Sequence, residues 1–251
     1  MKEKYDVALV VGTRPNFVKA APLLEYFEEN NLKVLFIHTG QHKDKKMSLN
    51  IFDDLNIRKP DITLETPTVN MNEQLSYMIE ALDDVFTKND ISRVGVFGDV
   101  TSTLAASLVA KNKKIELFHV ESGLRSRNME MPEERNRIIV DSVSDFLFAP
   151  SDDAVENLIQ ENIDSEKIFS VGNIMIDTLK KNYEKIKDGT SNILEELKIE
   201  NNYFVTTIHR PSNLTGENLN NIFNHPEVLL PSHKLFVIQI TLVIIITLTF
   251  G

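Results

Sequence analysis

The chain has 251 residues, 42% hydrophobic and 25% charged, which is the composition of a folded globular protein with room for one large domain or two smaller ones. It contains no cysteine, which excludes disulfide frameworks, thiolate metal sites and a cysteine nucleophile and leaves any chemistry to carboxylates, His, Lys and Arg. A net charge of −10 disfavours nucleic acid and anionic membranes as partners but leaves room for a small anionic ligand in a local basic pocket.

Residues 1–6 carry charges and run directly into an apolar segment, without the basic start, long apolar run and cleavage site of a secretory signal, so the cytoplasm is the expected location. In chain order, the predicted strands cover residues 5–11, 33–38, 93–97, 115–120, 146–149, 167–171 and 203–208, with 61–64 as a lesser candidate. The predicted helices cover 17–29, 72–87, 103–111, 152–161 and 174–187, and Thr101 and Ser151 stand at expected N-caps. Such alternation of β-branched runs with helical spacing specifies α/β units around a doubly wound parallel sheet.

A charged stretch rich in Asn and Lys within residues 172–198 marks the expected boundary. Residues 1–172 are expected to form a first α/β domain, and 173–223 connecting helices and the opening strand and helix of a second such domain. Residues 224–251 form an aberrant apolar tail. Within it, 235–250 is apolar apart from Gln239 and a few threonines, β-branched, and short of the usual transmembrane length.

In an open parallel sheet, ligands bind beyond the carboxyl ends of the strands. There the sequence places Gly12-Thr13-Arg14-Pro15, Thr39-Gly40-Gln41-His42, Gly98-Asp99-Val100, Glu121-Ser122-Gly123-Leu124 and His209-Arg210. Small, flexible residues and ionisable ones thus share one edge, as a catalytic crevice requires. Each has a plainer alternative: Gly12 as a turn, Arg14 as the partner of a surface carboxylate, Asp99 as a helix cap. His38 and His119 read as packed or hydrogen-bonded structural residues, and no His/Asp spacing argues for a metal.

Residues 121–137 crowd Glu121, Arg125, Arg127, Glu130, Glu133, Glu134, Arg135 and Arg137 around Pro132. Glu130 and Arg135 read as a solvated face. Glu133 and Arg137, spaced i, i+4, share a helix face and either pair or point together at the crevice. Taken alone, these residues reach a nucleotide- or phosphate-using α/β enzyme with carboxylate acid/base groups and leave the reaction open.

The series Gly12-Thr13-Arg14-Pro15 with Lys19 and Pro22, Gly40-Gln41-His42, Gly98-Asp99-Val100 with Ser102-Thr103-Leu104-Ala105, His119-Val120-Glu121-Ser122-Gly123-Leu124-Arg125, Pro132-Glu133-Glu134-Arg135-Asn136-Arg137, Gly172-Asn173 with Asp177, and Thr207-Ile208-His209-Arg210 is carried in that order. In order and spacing it resembles the non-hydrolysing UDP-N-acetylglucosamine 2-epimerases, from about Val7 to about Phe223. The resemblance implies two Rossmann-like domains in a GT-B-like arrangement, with substrate in the cleft between them. It implies an isomerase that interconverts UDP-N-acetylglucosamine and UDP-N-acetylmannosamine by eliminating UDP to a 2-acetamidoglucal and re-adding it, for cell-surface polysaccharide precursors. It further implies no cofactor, no metal and a homodimer.

By motif position, the resemblance assigns catalysis to Asp99, Glu121, Glu133 and His209, the last contributed across the cleft by the second domain. It assigns the holding of nucleotide and sugar to Arg14, Lys19, His42 and Arg137. Which carboxylate takes which proton stays open. The chain departs from the family pattern at Asn16, where many members have Glu, and at Pro211-Ser212-Asn213, where Glu-Asn is frequent. A downstream Ser-Gly-Gly motif with paired Glu is absent, so a second domain cut short by truncation or frameshift is expected, with an inactive and poorly soluble chain as the consequence. The alternatives are an inactive fragment, a GT-B-type glycosyltransferase, and a hydrolysing epimerase that releases free N-acetylmannosamine.

Overall fold

The computed structural model describes residues 2–41, 52, 55–67, 69–187, 195, 203–207, 216–223 and 234–238. The chain divides into two compact units, Met1–Tyr183 and Glu184–Gly251.

The first unit runs β1 (Glu3–Val11), α1 (Arg14–Glu29), β2 (Val34–His38), β3 (Ile62–Thr63), α2 (Met71–Lys88), β4 (Asn89–Phe97) and α3 (Thr101–Asn112). It continues with β5 (Glu116–Val120), α4 (Pro132–Val143), β6 (Phe146–Ala149), α5 (Asp152–Gln160), a 3-10 turn (Ser165–Lys167), β7 (Ile168–Ser170) and α6 (Ile174–Lys187). Its described strands form one parallel sheet in the order β3-β2-β1-β4-β5-β6-β7. The order reverses between β1 and β4, the switch point at which an open α/β sheet forms its crevice.

Both faces of the sheet are covered, so alternate residues of one strand enter different cores. Ala8 and Val10 of β1 join Val94, Val96 and Leu117 beneath Met78, Leu82 and Val109 from α2 and α3. Leu9 and Val11 turn the other way, to Phe17 and Leu24 of α1 and to Phe36 and Phe97. This two-sided burial is what makes the strands read as continuous apolar runs.

The structure differs from expectation chiefly at element ends. β4 begins four residues before the predicted strand, because α2 passes into it through Asn89 with no Gly or Pro between, and its exposed Asp90, Ser92 and Arg93 hide the pattern. α1 begins at Arg14, with Pro15 in its first turn, where the missing N–H costs nothing. Thr101 is not the N-cap of α3; Val100 takes that position and Thr101 is the first helical residue, buried. Ser151 does occupy the N-cap of α5, without a side-chain cap bond.

In the second unit, β8 (Tyr203–Thr207), α7 (Gly216–Phe223) and β9 (Lys234–Ile238) form a β-α-β unit, with β8 and β9 paired in parallel from Tyr203↔Lys234 to Thr207↔Ile238. β9 lies inside the stretch expected to be a foreign tail, so β8 has a neighbour there. Residues 239–251 fall outside the described residues, and among those described no helix is long and apolar enough to cross a membrane.

Candidate active site at the carboxyl edge of the sheet

β4 and β5 end in register, Phe97 opposite Val120, and the Gly98 N–H donates to the Val120 carbonyl at 3.0 Å. Gly98 then turns with φ +63°, a conformation open to glycine, and a Cβ there would stand 3.2 Å from Lys19 Nζ. Glu121 adopts φ +69° without being glycine, a backbone strain of the kind concentrated at functional sites. The Phe148 carbonyl holds that turn by accepting from the N–H groups of Glu121 and Ser122 at 3.1 and 3.2 Å.

Asp99 and Glu121 therefore leave the sheet side by side, each against a cation. Lys19 Nζ of α1 lies 2.7 Å from Glu121 Oε2, with the two side chains 9% and 22% exposed. Arg137 of α4 pairs with Asp99 on one side and with Glu134 on the other, the latter at 2.5 Å. The Asn136 side-chain amide donates to the Asp99 carbonyl at 2.9 Å.

The expected pair Glu133–Arg137 is replaced by Glu134–Arg137. Glu134 is buried and fixed by the N–H groups of Ser126 and Arg127 at 2.9 and 2.7 Å, so it presents a fixed acceptor to the guanidinium. Burial pushes its carboxyl pKa up, but the Ser126 and Arg127 bonds and Arg137 outweigh this and hold it below the usual carboxylate range. Glu133, half-buried in the first turn of α4, has no ion pair among the described residues; helical spacing puts it one turn before Arg137 on the same face.

The first loop is organised by Asn16. Its Oδ1 accepts from the Gly12 N–H, the Thr13 N–H and the Thr13 hydroxyl, each at 3.1 Å, and its Nδ2 donates to the Phe97 carbonyl at 3.2 Å. The amides that a helix N-terminus offers to an anion are thus partly taken by the protein's own side chain. Arg14 is exposed and has no ion pair among the described residues. Gly12 is required by crowding, since a Cβ there would lie 1.9 Å from Ser102 Oγ, and Ser102 N–H in turn donates to Gln41 Oε1 at 3.2 Å. His42 and His209 lie outside the described residues.

His119 is a hydrogen-bonded interior residue, as expected, bonded to Asp141 and to the Gly98 carbonyl. Arg125, one of the charge-run residues, is 3% exposed and pairs with Asp141 at 2.8 Å and Glu161 at 2.5 Å. Glu134 and Asn136 were named only within the charge run and the motif series, without a role, and Asp141 escaped sequence reasoning. Their signal was a helical spacing in which polar residues at 134, 137 and 141 occupy the face of α4 that also buries Val140.

A cavity of about 570 Å³ opens on the face of the sheet beside β5 and β6, lined by Leu23, Phe27, Phe118, Phe146 and Phe148, with Glu121 at its rim. Arg14, Lys19, Asp99 and Arg137 do not line it, and apolar walls do not suit a charged diphosphate. The polar edge is the candidate site, and Glu121 stands where the two meet. Among the described residues, no group of three His, Asp or Glu side chains is placed to hold a metal ion.

The sequence profile of the UDP-N-acetylglucosamine 2-epimerase family matches residues 25–242 and so continues past Phe223. The UDP-N-acetylglucosamine 2-epimerase of Methanocaldococcus jannaschii is 37% identical over 220 residues, covering 86% of this chain and 60% of that protein. The UDP-2,3-diacetamido-2,3-dideoxy-D-glucuronate 2-epimerase of Pseudomonas aeruginosa is also 37% identical, over 239 residues, 90% of this chain and 66% of that one. The crystal structure of the M. jannaschii enzyme in complex with UDP-GlcNAc and UDP superposes with a TM-score of 0.85 at 33% identity, over 94% of this chain and 66% of that chain. The chain spans about three fifths of the length of the curated relatives it matches. With the motif order, the parallel α/β sheet and these matches in agreement, the chain belongs to the UDP-N-acetylglucosamine 2-epimerase family.

Proposed function

We propose that this chain carries the catalytic edge of an epimerase that interconverts UDP-N-acetylglucosamine and UDP-N-acetylmannosamine, for polysaccharide precursors. The observation that supports this reading best is the placement of Asp99 and Glu121 beyond neighbouring strand ends, each beside a cation, in a chain of this family. In the first half-reaction a carboxylate takes the proton from sugar carbon 2 while the C1–O bond to UDP breaks. The C–H electron pair becomes the C1=C2 bond of the 2-acetamidoglucal, and the C–O pair leaves with UDP. Re-addition of UDP, with a proton delivered to the opposite face of carbon 2, completes the inversion, and no cofactor enters the balance.

Asp99, Glu121 and Glu133 divide the acid and base work in this reading, with His209 as the fourth group. Arg14, Lys19, His42 and Arg137 hold the nucleotide and sugar and favour the negative charge that grows on the departing diphosphate. Arg14 is the cation most open to it, being exposed and without an ion pair among the described residues. We also propose a homodimer and a cytoplasmic place of action, which light scattering and cell fractionation check.

One observation favours a second substrate: the P. aeruginosa relative matches this chain as well as the M. jannaschii enzyme does. A UDP-diacetamido-glucuronate presents the same carbon 2 chemistry beside an added carboxylate. Both UDP sugars should be incubated in D2O with the 251-residue chain and with a chain restored to full length, and followed by proton NMR. The expected product is the 2-epimer with deuterium at carbon 2. Free N-acetylmannosamine would mean hydrolysis, transfer to an added acceptor would mean a glycosyltransferase, and turnover by the restored chain alone would mean a fragment inactive by itself.

A further inference from the structure

We propose that His119 and Asp141 form a positioning pair that fixes the Asp99 loop and the Glu121 turn relative to each other. This rests on the reading of Asp99 and Glu121 as the proton-transfer groups. His119, in β5, is fully buried. Its Nε2 lies 2.7 Å from the carbonyl oxygen of Gly98, the residue before Asp99, and its Nδ1 lies 2.6 Å from Asp141 Oδ1. The other Asp141 oxygen accepts from the N–H of Gly123, two residues after Glu121, at 3.0 Å, and forms an ion pair with Arg125 at 2.8 Å. One ring and one carboxylate thus span the distance between the two loops.

The donor count sets the state of the ring. A backbone carbonyl only accepts, and an ionised carboxylate only accepts. Asp141 has the Arg125 guanidinium at 2.8 Å and the Gly123 N–H at 3.0 Å on its other oxygen, a cation and a donor that favour the carboxylate, so Asp141 is the acceptor. A neutral imidazole has a single N–H and would turn a lone pair toward one of two oxygens at hydrogen-bond distance, in an interior where that repulsion is unscreened. Both ring nitrogens therefore carry hydrogen. The cluster of His119 and Arg125 with Asp141 and Glu161 then sums to zero charge, which removes the penalty of an uncompensated buried ion.

The same pair keys α4 to the sheet. Asp141 belongs to the helix that carries Asn136, bonded to the Asp99 carbonyl, and Arg137, paired with the Asp99 carboxylate. Neither His119 nor Asp141 reaches the candidate reacting groups directly; they act through Gly98, Gly123 and α4. A displacement of about 1 Å at a reacting group is enough to cost on the order of 100-fold in rate, so a fixed link between the loops has catalytic weight.

The test uses the whole 251-residue chain with 15N-labelled histidine. The His119 ring is expected to show two N–H signals, with both nitrogens in the imidazolium range; a ring with one N–H overturns the proposal. Asp141→Asn can keep the link in another form, with its amide donating to Nδ1 of a neutral ring and its carbonyl accepting from Gly123. That variant should lose one ring N–H, shift the amide signals of both Gly98–Asp99 and Glu121–Gly123, and keep kcat within about tenfold. His119→Ala breaks the link and should lower kcat about 100-fold with KM changed less than about threefold. Shifts confined to one loop in Asp141→Asn, or a rise in KM alone in His119→Ala, would reduce the pair to packing. If His119→Ala does not fold, the ring and amide spectra of the other two proteins decide. If a chain restored to full length also turns over no UDP sugar, the proposed function fails while these spectra still test the pair.

Discussion

Lys19 and Glu121 meet at 2.7 Å although one stands in the second turn of α1 and the other follows β5, with β4 between their strands. The pair forms across the Gly98 turn, where an added Cβ would crowd Lys19 Nζ at 3.2 Å. Lys19, expected to serve the nucleotide, is thus also the counter-ion of a candidate catalytic carboxylate. Lys19→Met keeps most of the stem and removes the charge. It should cost about 1–2 kcal/mol in urea unfolding, since Glu121 is partly open to water, and should lower kcat/KM for the UDP sugar. Unchanged stability together with unchanged kcat/KM would show the contact to be idle.

Asp99 offers a cleaner test of chemistry, because its contact with Asn136 is through the backbone carbonyl. Asp99→Asn leaves that bond and the side-chain shape in place and ends carboxylate acid/base work; Glu121→Gln does the same beside Lys19. In a chain restored to full length, each should reduce epimerisation about 10²–10⁴-fold while the fold stays intact, with Glu121→Gln losing about as much stability as Lys19→Met because it breaks the same ion pair. Near-normal turnover by both variants would remove these carboxylates from the mechanism.

The sheet and its carboxyl edge were legible because two-sided burial writes each strand as an apolar run, and because the turn residues follow directly. Asp99 and Glu121 fall beside one another as the βα order requires. What was not legible is which acid meets which base. The i, i+4 spacing of Glu133 and Arg137 is a local rule, whereas the observed choice of Glu134 depends on Ser126 and Arg127, brought over it by the preceding loop. The start of β4 was hidden for a similar reason: residues 90, 92 and 93 face solvent, and only pairing with β1 makes them strand.

Asn16 is the departure from the family pattern with the clearest structural part. It satisfies the buried N–H groups of Gly12 and Thr13 and ties α1 to β4 through the Phe97 carbonyl, which also accepts from Thr103 Oγ1 at 2.7 Å. Asn16→Ala strands two donors and should cost about 2–3 kcal/mol in urea unfolding. Asn16→Asp restores the acceptor and leaves the Phe97 carbonyl to Thr103, so it should recover more than half of that loss. Equal losses in the two variants would mean that Nδ2, not Oδ1, is the group that matters.

Glu134 gives a pH signature. Its folded carboxyl is held below the usual range, so the folded state releases the proton more readily than the unfolded chain, and ionisation stabilises the fold. That contribution is complete above the unfolded carboxylate value, about 4.3, and drains away as pH falls through the folded value. Asp141 and Asp145 are depressed in the same sense, so the parent chain should lose stability steeply in acid for several reasons at once. Glu134→Gln isolates one of them: it should cost about 2 kcal/mol at pH 7, where the charge-assisted bonds to Ser126, Arg127 and Arg137 are lost. The difference between parent and variant in urea midpoint should then shrink steadily as pH falls below about 4.5, the range in which the parent's carboxylate is being protonated. A difference that stayed constant from pH 7 into acid would show that Glu134 contributes shape alone, and that Arg137 is held toward Asp99 by something other than this charge.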